Sequence, residues 1–327
     1  MRATWPAQWI NRYTEHLASV FSSADLRDPQ HRYGMKKYDV FVFHKQHPAF
    51  QEIARWIRKT MPDKVIVFDT DDYEHELFDT LYPLWWFQQL ETEPSKCMPE
   101  ADGYTVASYP LLLEYSDKPC VLVENGFDLW LIENRPIRNQ YFNDTVKIAY
   151  GGGITHTRDL SMLLKTGVLQ ELCDTYDVDF YVYGVLKHYI ESPVRFKRGG
   201  IYSRPGVGIN DYIEKLYGDA TALFCPLVQD RFNDYRSTLK LVEAGVSGKT
   251  IVASNVETYR HYLGRDSVTL VDNTPSEWYY ALERVITSPE TAITQGEANR
   301  KTVEEYYNAE YLTKIRIDFF TTLLNQK

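Results

Sequence analysis

The chain has 327 residues, 44% of them hydrophobic and 14% aromatic, enough apolar material for two cores of ordinary domain size. Its formal net charge of -9 removes the general basic attraction through which proteins hold nucleic acid or anionic lipid. No apolar run approaches the roughly 18 to 20 residues of a membrane span, and the polar start MRATWPAQWINRY lacks the order of a signal peptide, so a cytoplasmic location is expected.

Taken in chain order, short apolar runs alternate with amphipathic stretches, the pattern of parallel sheets covered by helices. Strands are expected at 39–43, 64–68, 103–107, 120–124, 146–150, 178–184, 220–226, 249–254 and 267–271. Arg32, Lys36, Lys37, Lys45, Arg55, Arg58, Lys59 and Lys64 make the first half less acidic than the whole. Between Asn125 and Thr145 the text turns irregular and polar, and a fresh strand and glycine run follow; a domain boundary is expected there. From Pro289 onward the spacing is helical, which predicts two terminal helices. Trp5, Trp9, Trp85 and Trp86 read as core or interdomain packing. Cys97, Cys120, Cys173 and Cys225 are far apart, with no paired or zinc-ligand spacing, and read as reduced, mostly buried thiols.

Two segments carry the strongest chemistry. In VKIAYGGGITHTRDL a buried strand runs into Gly151, Gly152 and Gly153 and then into a helix beginning at Thr157 to Asp159. Glycines let backbone approach a bulky ligand, and a helix N-terminus offers N–H groups and partial positive charge to an anion. His156 and Arg158 can face the same anion, whereas the bland alternative is a tight turn with no ligand. The spacing fits neither the GxGxxG dinucleotide pattern nor the P-loop.

In DRFNDYRSTLKLVEAGVSGKTIVAS a loop leads into a helix from about Ser237. Arg236, Lys240 and Glu243 are spaced to project near the helix start, where two cations and a carboxylate can hold a diphosphate and a ribose. A surface i, i+3 salt bridge between Lys240 and Glu243 is the alternative. Asp69, Asp71 and Asp72 in FDTDD follow a strand and admit three readings. They can be metal ligands on a diphosphate, as in GT-A glycosyltransferases, or a helix cap; or Asp69 can be the nucleophile of a haloacid-dehalogenase-type, Mg-dependent phosphohydrolase. His44 and His47 have ligand spacing with no third ligand nearby, and the basic stretch Arg195, Lys197, Arg198, Arg204 reads as a solvated loop.

These segments together resemble the retaining GT-B glycosyltransferases of group 1, in particular a subset with H-x-R-D-L after a glycine run. That subset also has F-N-x-x-[KR]-S-x-x-K-x-x-E ahead of a G-x-x-[VI]-V-A-S strand. Here the matches are His156 to Leu160, then Phe232, Asn233, Arg236, Ser237, Lys240 and Glu243, then Gly248 and Ile251 to Ser254. Upstream, FDTDDYEHELFD, ADGYTVAS and VLVENGFD resemble further segments of the subset, so the likeness spans roughly residues 38 to 260. The broader family uses two glutamates with seven residues between them. Glu243 matches the second and Tyr235 stands where the first would be.

The resemblance implies an α/β chain of two Rossmann-like domains facing across a cleft (GT-B): an acceptor domain over 1–138, with a helix at 308–327 packing back on it, and a nucleotide-sugar domain over 139–307. It implies transfer of a sugar from a nucleoside-diphosphate sugar to an acceptor hydroxyl, retaining and metal-independent, with the donor as co-substrate and no other cofactor. Arg158, Arg236 and Lys240 would stabilise the departing diphosphate and Asp72 would serve the acceptor. Gly151, Gly152, Gly153, His156, Asn233, Ser237, Thr238 and Glu243 would hold the donor. A non-catalytic module that binds a nucleotide sugar or glycan is the other reading, favoured by Tyr235. Acceptors left open are glycans, small molecules, protein side chains and hydroxymethylated DNA bases.

Overall fold

A computed structural model describes residues 3–22, 25–44, 48–73, 99–128, 145–153, 156–184, 194–206, 213, 218 and 220–327. The chain forms two compact units: Met1–Asp128 with Tyr235–Ser237 and Ala309–Lys327, and Leu129–Asp234 with Thr238–Asn308. Residues 129–144, on which the expected boundary falls, lie outside the described residues, as do His47, Trp85, Trp86 and Cys97.

In the first unit, helices α1 (Thr4–Tyr13) and α2 (Pro29–Gly34) precede strand β1 (Val40–His44), helix α3 (Pro48–Thr60) and strand β2 (Val65–Thr70). Strand β3 (Gly103–Val106), helix α4 (Tyr109–Glu114) and strand β4 (Cys120–Leu122) follow. The four strands are parallel, in the order β1-β2-β3-β4. β2 is buried along its whole length, as expected of a continuous apolar run in a covered parallel sheet. α4 is started by Ser108, whose Oγ accepts from the Leu111 N–H, with Pro110 in the first turn.

The far end of the chain completes this unit. Helix α12 (Ala309–Leu324) lays Phe320 and Leu323 against Val65 and Val67 of β2. A Cβ on Gly103 would sit 2.8 Å from both the Phe319 ring of this helix and the Pro119 carbonyl oxygen, and since the backbone oxygen cannot turn aside, only glycine fits there. Lys327 Nζ lies 2.7 Å from Asp102 Oδ1, while Arg58 Nη2 and the Ile66 N–H each reach Asp102 Oδ2 at 2.8 Å. Burial alone would raise the Asp102 carboxyl, but the hydrogen bonds from Lys327, Arg58 and Ile66 outweigh it and hold the group below its ordinary value of 3.8. Because the folded value is the lower one, the stabilisation is present above the unfolded value and lost as pH falls through the folded one. Asp102→Asn should therefore be less stable than the native chain near neutral pH. In urea titrations the gap should narrow as pH drops below about 3.8.

The second unit opens with strand β5 (Val146–Gly152), helices α5 (Thr157–Lys165) and α6 (Val168–Thr175), and strands β6 (Val178–Gly184), β7 (Val194–Arg195) and β8 (Gly200–Arg204). Strand β9 (Ala222–Cys225), helices α7 (Arg231–Asp234) and α8 (Leu239–Val246), strand β10 (Thr250–Ser254), helix α9 (Glu257–Arg260), strand β11 (Thr269–Val271) and helices α10 (Pro275–Thr287) and α11 (Pro289–Tyr306) complete it. The sheet order is β11-β10-β9-β5-β6-β8-β7, parallel throughout except for β7 against β8. Val178, Phe180 and Val182 of β6 are buried while Asp179, Tyr181 and Tyr183 are half-buried, the alternation of a strand with two unlike faces.

One expectation is corrected here. The basic stretch from Arg195 to Arg204 is a β-hairpin pairing with β6. Tyr181 and Tyr202 stack across it at 5.1 Å, and the Arg204 and Arg195 guanidiniums lie 5.4 and 5.8 Å from the Tyr181 and Tyr202 rings. Cation–π contact lets charged residues occupy a sheet edge, which is why the run reads as loop in sequence. Cys120, Cys173 and Cys225 are free, and burial first of all pushes the Cys120 and Cys173 thiols up to about 12. Among the described residues no helix is long and apolar enough to cross a membrane.

Candidate functional site

The second sheet is wound in two directions. From β5 the chain moves outward to β6 and β8; it then returns to β9, on the other side of β5, and moves outward again to β10 and β11. β5 and β9 are direct neighbours, Ile148 beside Ala222 and Ala149 beside Leu223. In open α/β sheets the carboxyl ends of the strands at such a reversal are where ligands bind. The two segments singled out in the sequence leave the sheet here: the glycine run after β5 and the Pro226–Thr238 connection after β9.

Gly151 and Gly152 are the last residues of β5 and Gly153 follows. A Cβ on Gly153 would meet no described atom within 4 Å. His156 stands at the start of α5, buried, with Nδ1 3.0 Å from Asp159 Oδ2. Arg158 is exposed, its Nη1 2.8 Å from Asp230 Oδ2. Asn233 is buried, and its side-chain amide donates to Asp159 Oδ1 at 3.0 Å and to the Val228 carbonyl at 2.8 Å. The structure therefore joins His156 and Asn233 through Asp159, a residue that in sequence is only one letter of a motif.

α8 starts at Leu239 with buried Thr238 before it. Lys240 Nζ is 2.8 Å from Glu243 Oε2, but Glu243 is only 2% exposed. The i, i+3 ion pair of the alternative is thus formed, with Glu243 buried where an exposed pair would keep both groups in water. Arg236 and Ser237, half-buried, belong to the first unit. There the Tyr235 ring stacks on Tyr73 at 4.5 Å, both phenol hydroxyls donate to Glu114, and Ser108 Oγ donates to the Tyr235 carbonyl. Tyr235, standing where the resembled family has a glutamate, is thus held by aromatic stacking.

Asp72 also lies in the first unit, just past β2, its carbonyl accepting from Thr70 Oγ1 at 3.0 Å. Asp69, at 2% exposure, accepts from Thr105 Oγ1 at 2.6 Å on Oδ1 and lies 2.9 Å from His44 Nδ1 on Oδ2. A nucleophilic carboxylate needs an oxygen open to the substrate; both oxygens here are occupied, which opposes the phosphohydrolase reading. His44, Asp69 and Thr105 occupy one row across β1, β2 and β3. Sequence spacing pairs His44 with His47 instead. The signal that could have found the row is that each of the three sits within two residues of the carboxyl end of its strand.

A doubly wound unit with its reversal between β5 and β9, in a chain with a second parallel α/β unit, is the fold of the GT-B glycosyltransferases. Solved structures agree on that fold at low sequence identity. Sucrose-phosphate synthase from Thermosynechococcus elongatus is 12% identical with a TM-score of 0.62, over 90% of this chain and 77% of that one. A trehalose-6-phosphate structure from E. coli bound with UDP-2-fluoro glucose gives 12% and 0.62 over 98% and 82%. A glycosyltransferase from Rickettsia africae ESF-5 gives 12% and 0.61 over 98% and 88%. No protein-family model matches the sequence, and no curated protein matches it.

Proposed function

We propose that the chain is a cytoplasmic glycosyltransferase that moves a sugar from a nucleoside-diphosphate sugar to an acceptor hydroxyl, with retention of configuration and without a metal. The observation carrying this reading is that both donor-type segments emerge at the reversal of the second sheet. The first unit, with Asp72 and the His44–Asp69 pair, serves the acceptor, which is a glycan, a small molecule, a protein side chain or a hydroxymethylated base.

Breaking the donor's glycosidic bond leaves negative charge on the departing diphosphate. Fixed cations and backbone N–H groups stabilise such charge without reorganising, each contributing on the order of 10²- to 10³-fold in rate. Arg158, Arg236, Lys240, the α5 N-terminus and the Gly151–Gly153 backbone fill this role in our reading. His156, Asn233, Ser237, Thr238 and Glu243 hold the donor, Glu243 through the ribose hydroxyls.

UDP is the first probe, since a neighbour of this fold is bound with UDP-2-fluoro glucose; GDP and ADP complete the panel. A nucleotide at about 100 times its Kd should add roughly 2.7 kcal/mol of stability in a thermal-shift assay. Hydrolysis of the matching nucleotide sugar should persist in EDTA. Complete loss in EDTA restored by Mn²⁺ would assign the chemistry to the Asp69–Asp72 segment. Binding without any turnover would reduce the chain to a recognition module.

A further inference from the structure

We propose that Asp159 is a positioning residue of the donor site, one buried carboxylate that fixes the proton on His156 and ties the glycine-run side of the sheet reversal to the Val228–Asn233 side. The ligand part of this inference rests on the donor-site reading above; the geometric part stands on its own.

Asp159 is the third residue of α5, where a negative charge is favoured by the helix N-terminus. At 3% exposure it has little water to lean on, so its oxygens must be satisfied by protein. Oδ1 accepts from the Val228 N–H at 2.8 Å and from Asn233 Nδ2 at 3.0 Å, and Oδ2 faces His156 Nδ1 at 3.0 Å. An ionised carboxylate can only accept, so Nδ1 must carry the proton, and Asp159 thereby decides what the rest of the imidazole can do.

On the opposite side, Asn233 Nδ2 also donates to the Val228 carbonyl, which fixes the amide's orientation. The Asn233 N–H donates to Asp230 Oδ1 at 2.9 Å while Asp230 Oδ2 meets Arg158. Two successive residues of α5, Arg158 and Asp159, therefore grip the connection after β9. A neutral side chain could brace two loops at less desolvation cost; what a carboxylate adds is control of the imidazole proton.

Asp159→Asn separates bracing from proton control. The asparagine keeps an oxygen for Val228 and Asn233 but turns an NH₂ toward His156, which must then accept at Nδ1 and carry its proton on Nε2. Ring ¹⁵N NMR of histidine-labelled protein should show the proton on His156 Nδ1 in the native chain and on Nε2 in D159N. With the proton on Nδ1, Nε2 presents a lone pair that accepts from a ligand O–H or N–H and not from a phosphate. D159N turns Nε2 into a donor, so calorimetry with UDP, or whichever of UDP, GDP and ADP binds, should show affinity falling about tenfold or more.

A native ring protonated only on Nε2, or ring signals unmoved by D159N, would overturn the proposal. Unchanged nucleotide affinity in a D159N whose tautomer has switched would overturn its donor-site part. The native spectrum needs no variant, so the idea stays testable if D159N fails to fold. Absence of any nucleotide binding by the native chain would count against the proposed function, with the ring spectrum still judging Asp159.

Discussion

Gly184→Ala is expected to destabilise the second unit by about 3 to 5 kcal/mol, the combined scale of a strained backbone and an overpacked contact. Gly184 ends β6 with φ at 122°, in the region that favours glycine, and a Cβ there would lie 1.9 Å from the Gly152 carbonyl oxygen. Neither strain can relax alone, since turning the backbone breaks the pairing of Gly184 with Gly152. Any residual folded protein would carry a displaced glycine run and should lose nucleotide binding. Gly153→Ala supplies the contrast. Its Cβ meets no described atom within 4 Å, so urea denaturation should leave it within about 0.5 kcal/mol of the native chain. If the run cradles phosphate, G153A should still bind nucleotide more weakly. Equal stability of G184A and the native chain would mean that the β5–β6 ends are wrongly described.

Lys240→Met is expected to cost about 3 kcal/mol of stability, the low end for removing one partner from a buried ion pair. The reason lies in the asymmetry of the pair: Glu243 is 2% exposed while the Lys240 side chain keeps 16%. Glu243→Gln tests the ligand side. An amide in place of the carboxylate should weaken nucleoside-diphosphate binding by roughly 1.5 to 3 kcal/mol if Glu243 accepts from the ribose. The 2′-deoxy nucleotide should lose affinity for the native chain but lose little more for Glu243→Gln, as two changes that remove one contact do. Additive losses in that cycle would detach Glu243 from the ribose.

Much of the fold is legible in the sequence because most of its strands are buried. The runs at 64–68, 146–150 and 249–254 announce themselves by apolar continuity and 178–184 by alternation, and the structure has strands at each. β8, between β6 and β7, escapes such reading because its Tyr202 and Arg204, which pack on each other and on Tyr181 of β6, leave no apolar run. The glycine run and the Lys240–Glu243 spacing can be read because local patterns within one helix or turn are visible in sequence. The partnerships of Asp159 with Val228 and of Asp69 with Thr105 cannot, since they join residues 69 and 36 positions apart, the first from a helix to a loop and the second across sheet register. Burial of Glu243 is likewise hidden: KLVE has the same letters on a wet or a dry face.

The membership of α12 in the first unit bears on how the molecule comes into being. During synthesis Val65 and Val67 emerge long before Phe320 and Leu323, the side chains that cover them. Until residues 309–324 leave the ribosome, that sheet face has no α12 partner, while almost all of the second unit has already appeared. The half that is translated first is therefore completed last. A fragment stopping at residue 138 is then an unfinished sheet with an apolar face exposed to whatever it next meets.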